Sequence, residues 1–324
     1  NAWRSGHDQC LQKWGINQNG KDSILKSWRK AMPEGQIIRA LSGFYYVEEA
    51  GNVWECKARG IFKKKNRSPL VGDKVFFDVI GQHQGIITEI KPRKNQLHRP
   101  PVSNIDQAVL VFSAVEPDFS RVLLDKFLVH VERAKIKPII CVTKTDLLTK
   151  SEDLEKKLSI YREIGYQVVK TSKYGQGLNE LADVLKGKIS VFAGQSGVGK
   201  STLLNTLIPH LQLETAKISH KLGRGKHTTR VVQLISLPEG GMVADTPGFS
   251  QLDFQDITST DLANYFIEFD PFVGECRFRG CKHLNEPGCA VKSAVSEKKI
   301  DEDRYRHYVE FLEEIQENEA KKWR

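Results

Sequence analysis

Apolar positions change their spacing along this chain, and each change marks a different architecture. From Met32 to Pro101, β-branched and aromatic residues come in short, partly alternating runs: Gln36–Ala40, Gly43–Glu48, Val53–Ala58, Asp73–Ile80 and Gly85–Ile90. Glycine, Asn and Pro separate them, and five such runs predict a small β-barrel. From Asn104 the texture changes to buried-strand runs at Ala108–Val115 and Pro138–Thr143, with Gln167–Thr171 and Ile189–Ala193 repeating the theme. Between them lie helical spacings, with Val122, Leu123, Phe127, Leu128 and Val131 on Arg121–Ala134 and a charged helix reaching Ile164. Buried strands alternating with amphipathic helices predict a parallel sheet covered on both faces, which binds ligands at the carboxyl ends of its strands. After Asp253 the strand signal fades. A Cys/His-rich knot then leads into a charged helix whose apolar stripe is Tyr305, Tyr308, Val309, Leu312 and Ile315. The expected divisions are residues 32–101, 102–253 and 254–324.

Chemistry concentrates at the predicted strand ends. Gly194–Ser201 reads GQSGVGKS, a full G-x-x-x-x-G-K-[ST] match that follows a strand and opens a helix. Gly194, Gly197 and Gly199 let the backbone curl around Gln195, Ser196 and Val198, so that successive N–H groups face phosphate oxygens. Lys200 is expected on the β- and γ-phosphates and Ser201 on Mg²⁺, with Thr202 counted among the nucleotide contacts. Asp245–Gly248 (DTPG) ends the strand Met242–Ala244; its carboxylate can hold Mg²⁺ and the Gly248 N–H can sense the γ-phosphate. The intervening cationic loop Gly223–Arg230 supplies Thr228 or Thr229 as a further Mg²⁺ contact.

Two more strand exits read a base. Thr143–Asp146 (Thr143, Lys144, Thr145, Asp146) places a carboxylate where guanine N1–H and its amino group can donate, a donor pair that adenine lacks. The Lys144 stem can lie along the base, and the Ser172 N–H of the Thr171–Ser172–Lys173 exit can meet guanine O6. These exits precede the phosphate loop, the reverse of the usual order in such GTPases.

Cys276, Cys281, His283 and Cys289 form C-x4-C-x-H-x5-C, a closed tetrahedral donor set for one structural zinc ion. Arg277, Arg279, Lys282 and Lys292 are interleaved with it as a basic surface. Cys56 and Cys141 sit in strand-like runs and are expected in the core.

From Met32 onward the chain resembles the RsgA family of circularly permuted GTPases, small-ribosomal-subunit assembly factors also called YjeQ or YloQ. MPEGQIIRALSGFYYV, TKTD, GQSGVGKS, GRGKHTT, DTPGFS and CRFRGCKHLNEPGCAVK carry the likeness. The resemblance implies an oligonucleotide-binding barrel, a permuted G domain and a zinc domain. It also implies GTP hydrolysis to GDP and phosphate, stimulated by the small subunit and triggering release from ribosomal RNA. Thr143 stands where most GTPases have Asn, a variation seen in this family. Phe249 follows DTPG where many GTPases carry a water-orienting Gln, and a phenyl ring cannot orient water by hydrogen bonding. His227 is the candidate replacement, since the equivalent His is the family's proposed catalytic residue.

Charge adds less than the motifs do. Lys and Arg total 49 against 40 Asp and Glu in 324 residues, a net charge of +9. Residues 1–31 lack an initiating Met and any apolar signal segment and hold three of the five Trp; they are expected to be a leader of appended or upstream-translated sequence, the alternative being a basic arm. Removing them leaves 293 residues at +5. A basic balance permits an RNA partner without demanding one. The cationic loop Gly60–Pro69 beside barrel aromatics is a second pointer to single-stranded nucleic acid. Six Cys are too few for a disulfide scaffold, and no apolar run reaches the ~18 residues of a membrane span. The expectation is a cytoplasmic monomer with GTP or GDP, Mg²⁺ and zinc, acting on the small ribosomal subunit and its rRNA. The rival reading is a non-catalytic RNA-binding adaptor in which nucleotide only stabilises the fold.

Overall fold

The computed structural model describes residues 32–64, 67–97, 101–208, 211, 232–245 and 252–322. The leader 1–31 therefore lies outside the described residues. The chain divides into two compact units, the first ending at Pro92 and the second beginning at Arg93.

The first unit is a closed five-stranded barrel. Strands β1 (Glu34–Leu41), β2 (Phe44–Glu49), β3 (Asn52–Ala58), β4 (Lys74–Gly81) and β5 (Gln84–Ile90) pair in the order β1-β2-β3-β5-β4, and β4 returns to β1. Each lies within two residues of the run that predicted it. Alternation turns Ile37, Val47, Cys56, Val75, Phe77 and Ile87 fully inward. The β3–β5 contact requires Gly85, because a Cβ there would stand 2.8 Å from the Phe77 ring and 2.9 Å from Cys56 Sγ. Burial, then the Glu55 charge, push the Cys56 thiol up to about 11, which suits core packing rather than reactivity. A single helical turn, α1 (Ile61–Lys64), opens the cationic loop.

In the second unit a short hairpin, β6 (Gln96–Leu97) with β7 (Val102–Ser103), precedes the main sheet. Its strands are β8 (Gln107–Ser113), β9 (Lys137–Thr143), β10 (Gln167–Lys170), β11 (Ile189–Ala193), β12 (Val232–Ser236) and β13 (Met242–Asp245). They lie side by side as β10-β9-β8-β11-β13-β12, parallel except for β12. Every residue of β8 is buried, as a strand covered on both faces must be. On one face Val109, Val111, Ile139, Cys141 and Val169 pack with Leu181 and Leu185 of α4 (Leu178–Leu185) and Leu203 and Leu204 of α5 (Lys200–Leu207). On the other, Phe112 meets Phe127 of α2 (Arg121–Arg133) edge-on at 5.8 Å. Ser120 caps α2 by accepting the Leu123 N–H. Helix α3 (Glu152–Ile164) links β9 to β10 and ends on Gly165 in the left-handed conformation.

Among the described residues after 252 there is no strand, only 3₁₀ turns, α6 (Asp270–Val273), α7 (Ala290–Ser296) and the long α8 (Glu302–Lys322). Their core joins Phe254, Phe266, Phe269, Val291, Tyr308, Phe311, Leu312 and Ile315 to Val129 of α2. The expected stripe on α8 is thus present, but Arg304 and His307 share the buried side. Arg304 reaches Asp125 of α2 at 2.7 Å and grips Glu268 with two bonds of 2.7 and 2.9 Å. His307 Nδ1 lies 2.5 Å from the second Asp125 oxygen, and Tyr161 donates to the first at 2.7 Å. Burial alone would raise the Asp125 carboxyl, yet Arg304, His307 and Tyr161 together hold it below the usual range. The segment with the metal donors therefore shares one compact unit with the phosphate loop. None of the described helices is long and apolar enough to cross a membrane.

Candidate functional site

Parallel pairing brings the exits of β8, β9, β10 and β11 to one edge of the sheet. The phosphate loop leaves β11 there, and its curl is sterically specified. Gly194 has φ +148°, and a Cβ on it would stand 2.1 Å from the Val111 carbonyl of β8. Gly199, at φ +97°, starts α5 in the left-handed region that other residues rarely adopt. Val198 is buried in the sheet core and pins the loop between them, while Ser196, Ser201 and Thr202 stay at least partly accessible. The Lys200 ammonium donates to the carbonyls of Gly194 at 2.8 Å and Gln195 at 2.6 Å. Burial lowers its pKa, a cost that an anionic phosphate would offset.

The two strand exits expected to read a base meet beside it. Asp146 Oδ1 accepts the Lys173 N–H at 3.1 Å, and Thr145 Oγ1 donates to the Thr171 carbonyl at 3.1 Å. The Ser172 N–H, expected on guanine O6, donates to the Gln176 carbonyl at 3.2 Å. Lys144 takes φ +57° and its Nζ donates to the Glu116 carbonyl at 2.5 Å. That loop after β8 carried no motif and was not anticipated; its only signal was its place as a strand exit beside TKTD.

Thr143 is likewise more engaged than its side chain suggested. Its hydroxyl, 6% exposed, lies 2.5 Å from the Val198 carbonyl in the phosphate loop and 3.2 Å from the Phe112 carbonyl. A hydroxyl has one proton, so the shorter contact defines the donor role. The TKTD exit and the Gly194–Ser201 loop are thereby joined by a buried hydrogen bond. The Asp245 backbone ends β13, paired opposite Gln233. His227, Thr228, Thr229 and Gly248 lie outside the described residues.

The second site is compact in sequence. Cys276, Cys281, His283 and Cys289 hold their ligand atoms within 4.8 Å of one another, the one such group with these donors among the described residues. His283 Nδ1 lies 3.6 Å from Cys276 Sγ and 3.4 Å from Cys289 Sγ. Tetrahedral zinc with bonds of about 2.3 Å to sulfur separates its ligands by roughly 3.8 Å, so the residues fit that ion. Burial, and behind it the neighbouring sulfurs of Cys289 and Cys276, push the Cys281 thiol up to about 12. Burial lowers His283, leaving the imidazole neutral and able to ligate. Supporting groups fix this knot: Glu286 accepts the N–H groups of Lys282 at 2.8 Å and Leu284 at 2.9 Å. From α8, Tyr305 and Tyr308 donate to the carbonyls of His283 at 2.7 Å and Lys282 at 2.8 Å. Cys289 also caps α7 by accepting the Lys292 N–H.

Comparison with known proteins agrees with this assembly. The family model described as RsgA GTPase matches residues 90–255, and that described as RsgA N-terminal domain matches 34–87. A relative from Shouchella clausii, named small ribosomal subunit biogenesis GTPase RsgA, is 51% identical over 293 residues, covering 90% of this chain and all of the relative. One of the same name from Bacillus pumilus is 54% identical over 298 residues, again 90% of this chain and all of the relative. Among solved structures, YloQ, described as a circularly permuted GTPase, superimposes with a TM-score of 0.77 at 47% identity, covering 88% of this chain and 96% of that one. YjeQ from Thermotoga maritima gives 0.78 at 39% identity, covering 88% and 98%. With that order of motifs, that barrel and that Cys/His group, the chain belongs to the RsgA family of circularly permuted GTPases.

Proposed function

We propose that this GTPase is an assembly factor of the small ribosomal subunit, which engages ribosomal RNA in its GTP state and leaves after hydrolysis. It acts as a cytoplasmic monomer, with residues 32–101, 102–253 and 254–324 as its functional divisions. The supporting observation is the meeting of Asp146, Lys173, Thr143 and Lys200 on one sheet edge, where guanine and phosphates are held together. The names of the relatives supply the subunit.

Asp146 accepts from the guanine edge, Lys144 lies along the base and the Ser172–Lys173 exit closes the pocket. On nucleotide binding, Lys200 exchanges its loop carbonyls for the β- and γ-phosphate oxygens, and the phosphate-loop N–H groups supply fixed dipoles. Magnesium, when bound, offsets phosphate charge; Ser201, Asp245 and Thr228 or Thr229 are the residues that would hold it. Gly248 senses the γ-phosphate and His227 orients the attacking water. Cys276, Cys281, His283 and Cys289 would hold zinc, which supplies structural cross-linking.

Phosphate release from GTP and from ATP, each with and without small subunits, tests this reading. Turnover is expected with GTP alone and rises with subunits; equal ATP turnover would overturn the guanine assignment. Lys200→Ala is expected to lower hydrolysis at least ~100-fold and abolish GTP-dependent association. Retained RNA affinity with no nucleotide dependence would instead make the protein an adaptor.

A further inference from the structure

We infer that Phe278 is a stacking platform for an unpaired RNA base, presented on the loop between the first two zinc-ligand cysteines; this deepens, and rests on, the ribosomal reading above. The neighbouring core buries Phe254, Phe266, Phe269 and Phe311 almost completely, yet Phe278 is 45% exposed. Its loop, Arg277-Phe278-Arg279-Gly280, is exposed throughout. One exposed apolar residue is ordinary on a folded surface; what sets this ring apart is its place between two exposed arginines on a tethered loop.

The loop is held firmly enough to present it. Cys276 and Cys281 bound it on either side, and the Arg277 N–H donates to the Gly288 carbonyl at 3.1 Å. Gly288 packs so closely that a Cβ there would stand 3.1 Å from Arg277 Cβ. The platform is thus strapped to the backbone beside Cys289, the fourth metal donor.

Charge selects the partner. The Arg277 guanidinium lies over the Phe278 ring, 5.7 Å from its centre, and neither Arg277 nor Arg279 has a carboxylate partner among the described residues. Arg121, Arg162 and Arg304, by contrast, are all paired. Two guanidinium groups without carboxylate partners, beside a half-exposed ring over which one of them lies, match a phosphate backbone with a base that stacks on the ring. A duplex would satisfy the arginines but offer no free base face.

The zinc-loaded full chain tests this with Phe278→Ala, Phe278→Leu and Phe278→Trp. The readouts are subunit affinity with a non-hydrolysable GTP analogue, subunit-stimulated and intrinsic GTP hydrolysis, zinc content, and binding of a short single-stranded RNA against its duplex. Phe278→Ala is expected to weaken subunit and single-strand binding about tenfold, with intrinsic hydrolysis and zinc content unchanged. Phe278→Trp should retain binding, and Phe278→Leu should not rescue it. Equal binding by all variants, rescue by Leu as complete as by Trp, or loss of duplex affinity equal to the loss for the single strand would overturn the inference. Wild-type hydrolysis insensitive to subunits would defeat the ribosomal reading instead, while the single-strand comparison still judges the platform. Should Phe278→Ala lose zinc, Phe278→Leu and Phe278→Trp decide the matter alone.

Discussion

The nucleotide edge and the metal knot solve opposite problems with the same backbone chemistry. At the edge, residues from Thr143 to Lys200 converge through parallel strands, and the groups are positioned by the sheet whatever their order in the chain. In the knot, four donors fall between Cys276 and Cys289, where no sheet positions them; Glu286, Tyr305 and Tyr308 tie the turn by its backbone. The edge is positioned by the sheet, whereas the knot is held by bonds within its turn and from α8, which a bound metal would reinforce. Asp125 of α2 and Arg304 of α8, both buried, join the helices of the sheet to the segment that carries the knot.

Chelation should separate them most sharply. Removing zinc is expected to cost on the order of 10 kcal/mol of metal-binding free energy and to open amide exchange across α6 to α8. Protection in β8 to β11 should survive; uniform loss throughout the second unit would show that knot and sheet are one cooperative body. Asp125→Asn attacks the join itself. Leaving Arg304 without one of its buried partners is expected to destabilise the second unit by about 3–5 kcal/mol in denaturant unfolding. The same carboxylate makes stability depend on pH. Because its folded pKa is depressed, its contribution is complete above the ordinary carboxylate value of about 3.9 and fades as pH falls through the lower folded value. The Asn variant should lack that acid limb, and an unchanged limb would assign it to other carboxylates.

Thr143→Val makes the smallest change and probes the edge alone. Losing a buried donor costs about 1–3 kcal/mol, so GDP and inosine diphosphate should both bind roughly tenfold more weakly in calorimetry. Their affinity ratio should stay fixed, since the hydroxyl meets the phosphate loop; a changed ratio would place Thr143 on the base. Thr143→Ser should preserve affinity.

What could be foreseen follows the same division. GQSGVGKS and the Cys/His spacing are contiguous, and their chemistry is local, so residue order alone located them. Strand runs were legible because burial on one face or two leaves a period of two or an unbroken apolar stretch. Asp125, Glu268 and Arg304 were not legible. A lone charge on a helical stripe looks solvated until its partner arrives from a residue far along the chain. The Thr143–Val198 bond was hidden for a like reason, since a side chain read within its own tetrapeptide shows nothing of a carbonyl in another loop. Strand β12 also escaped notice, its short alternation following a polar, cationic loop.

The seating of β8 between β9 and β11 has a consequence for how the protein is made. Synthesis runs from the amino end, so β8, β9 and β10 emerge with both base-reading exits before β11 exists. Until then one flank of a strand that ends up wholly buried offers its open hydrogen-bonding groups to any other extended chain. The nascent half-domain lacks Gly194–Ser201, the expected phosphate loop. The proposed nucleotide site is therefore complete only after β11 has closed that flank, and the hazardous interval lasts as long as the ribosome takes to traverse α2 through α4.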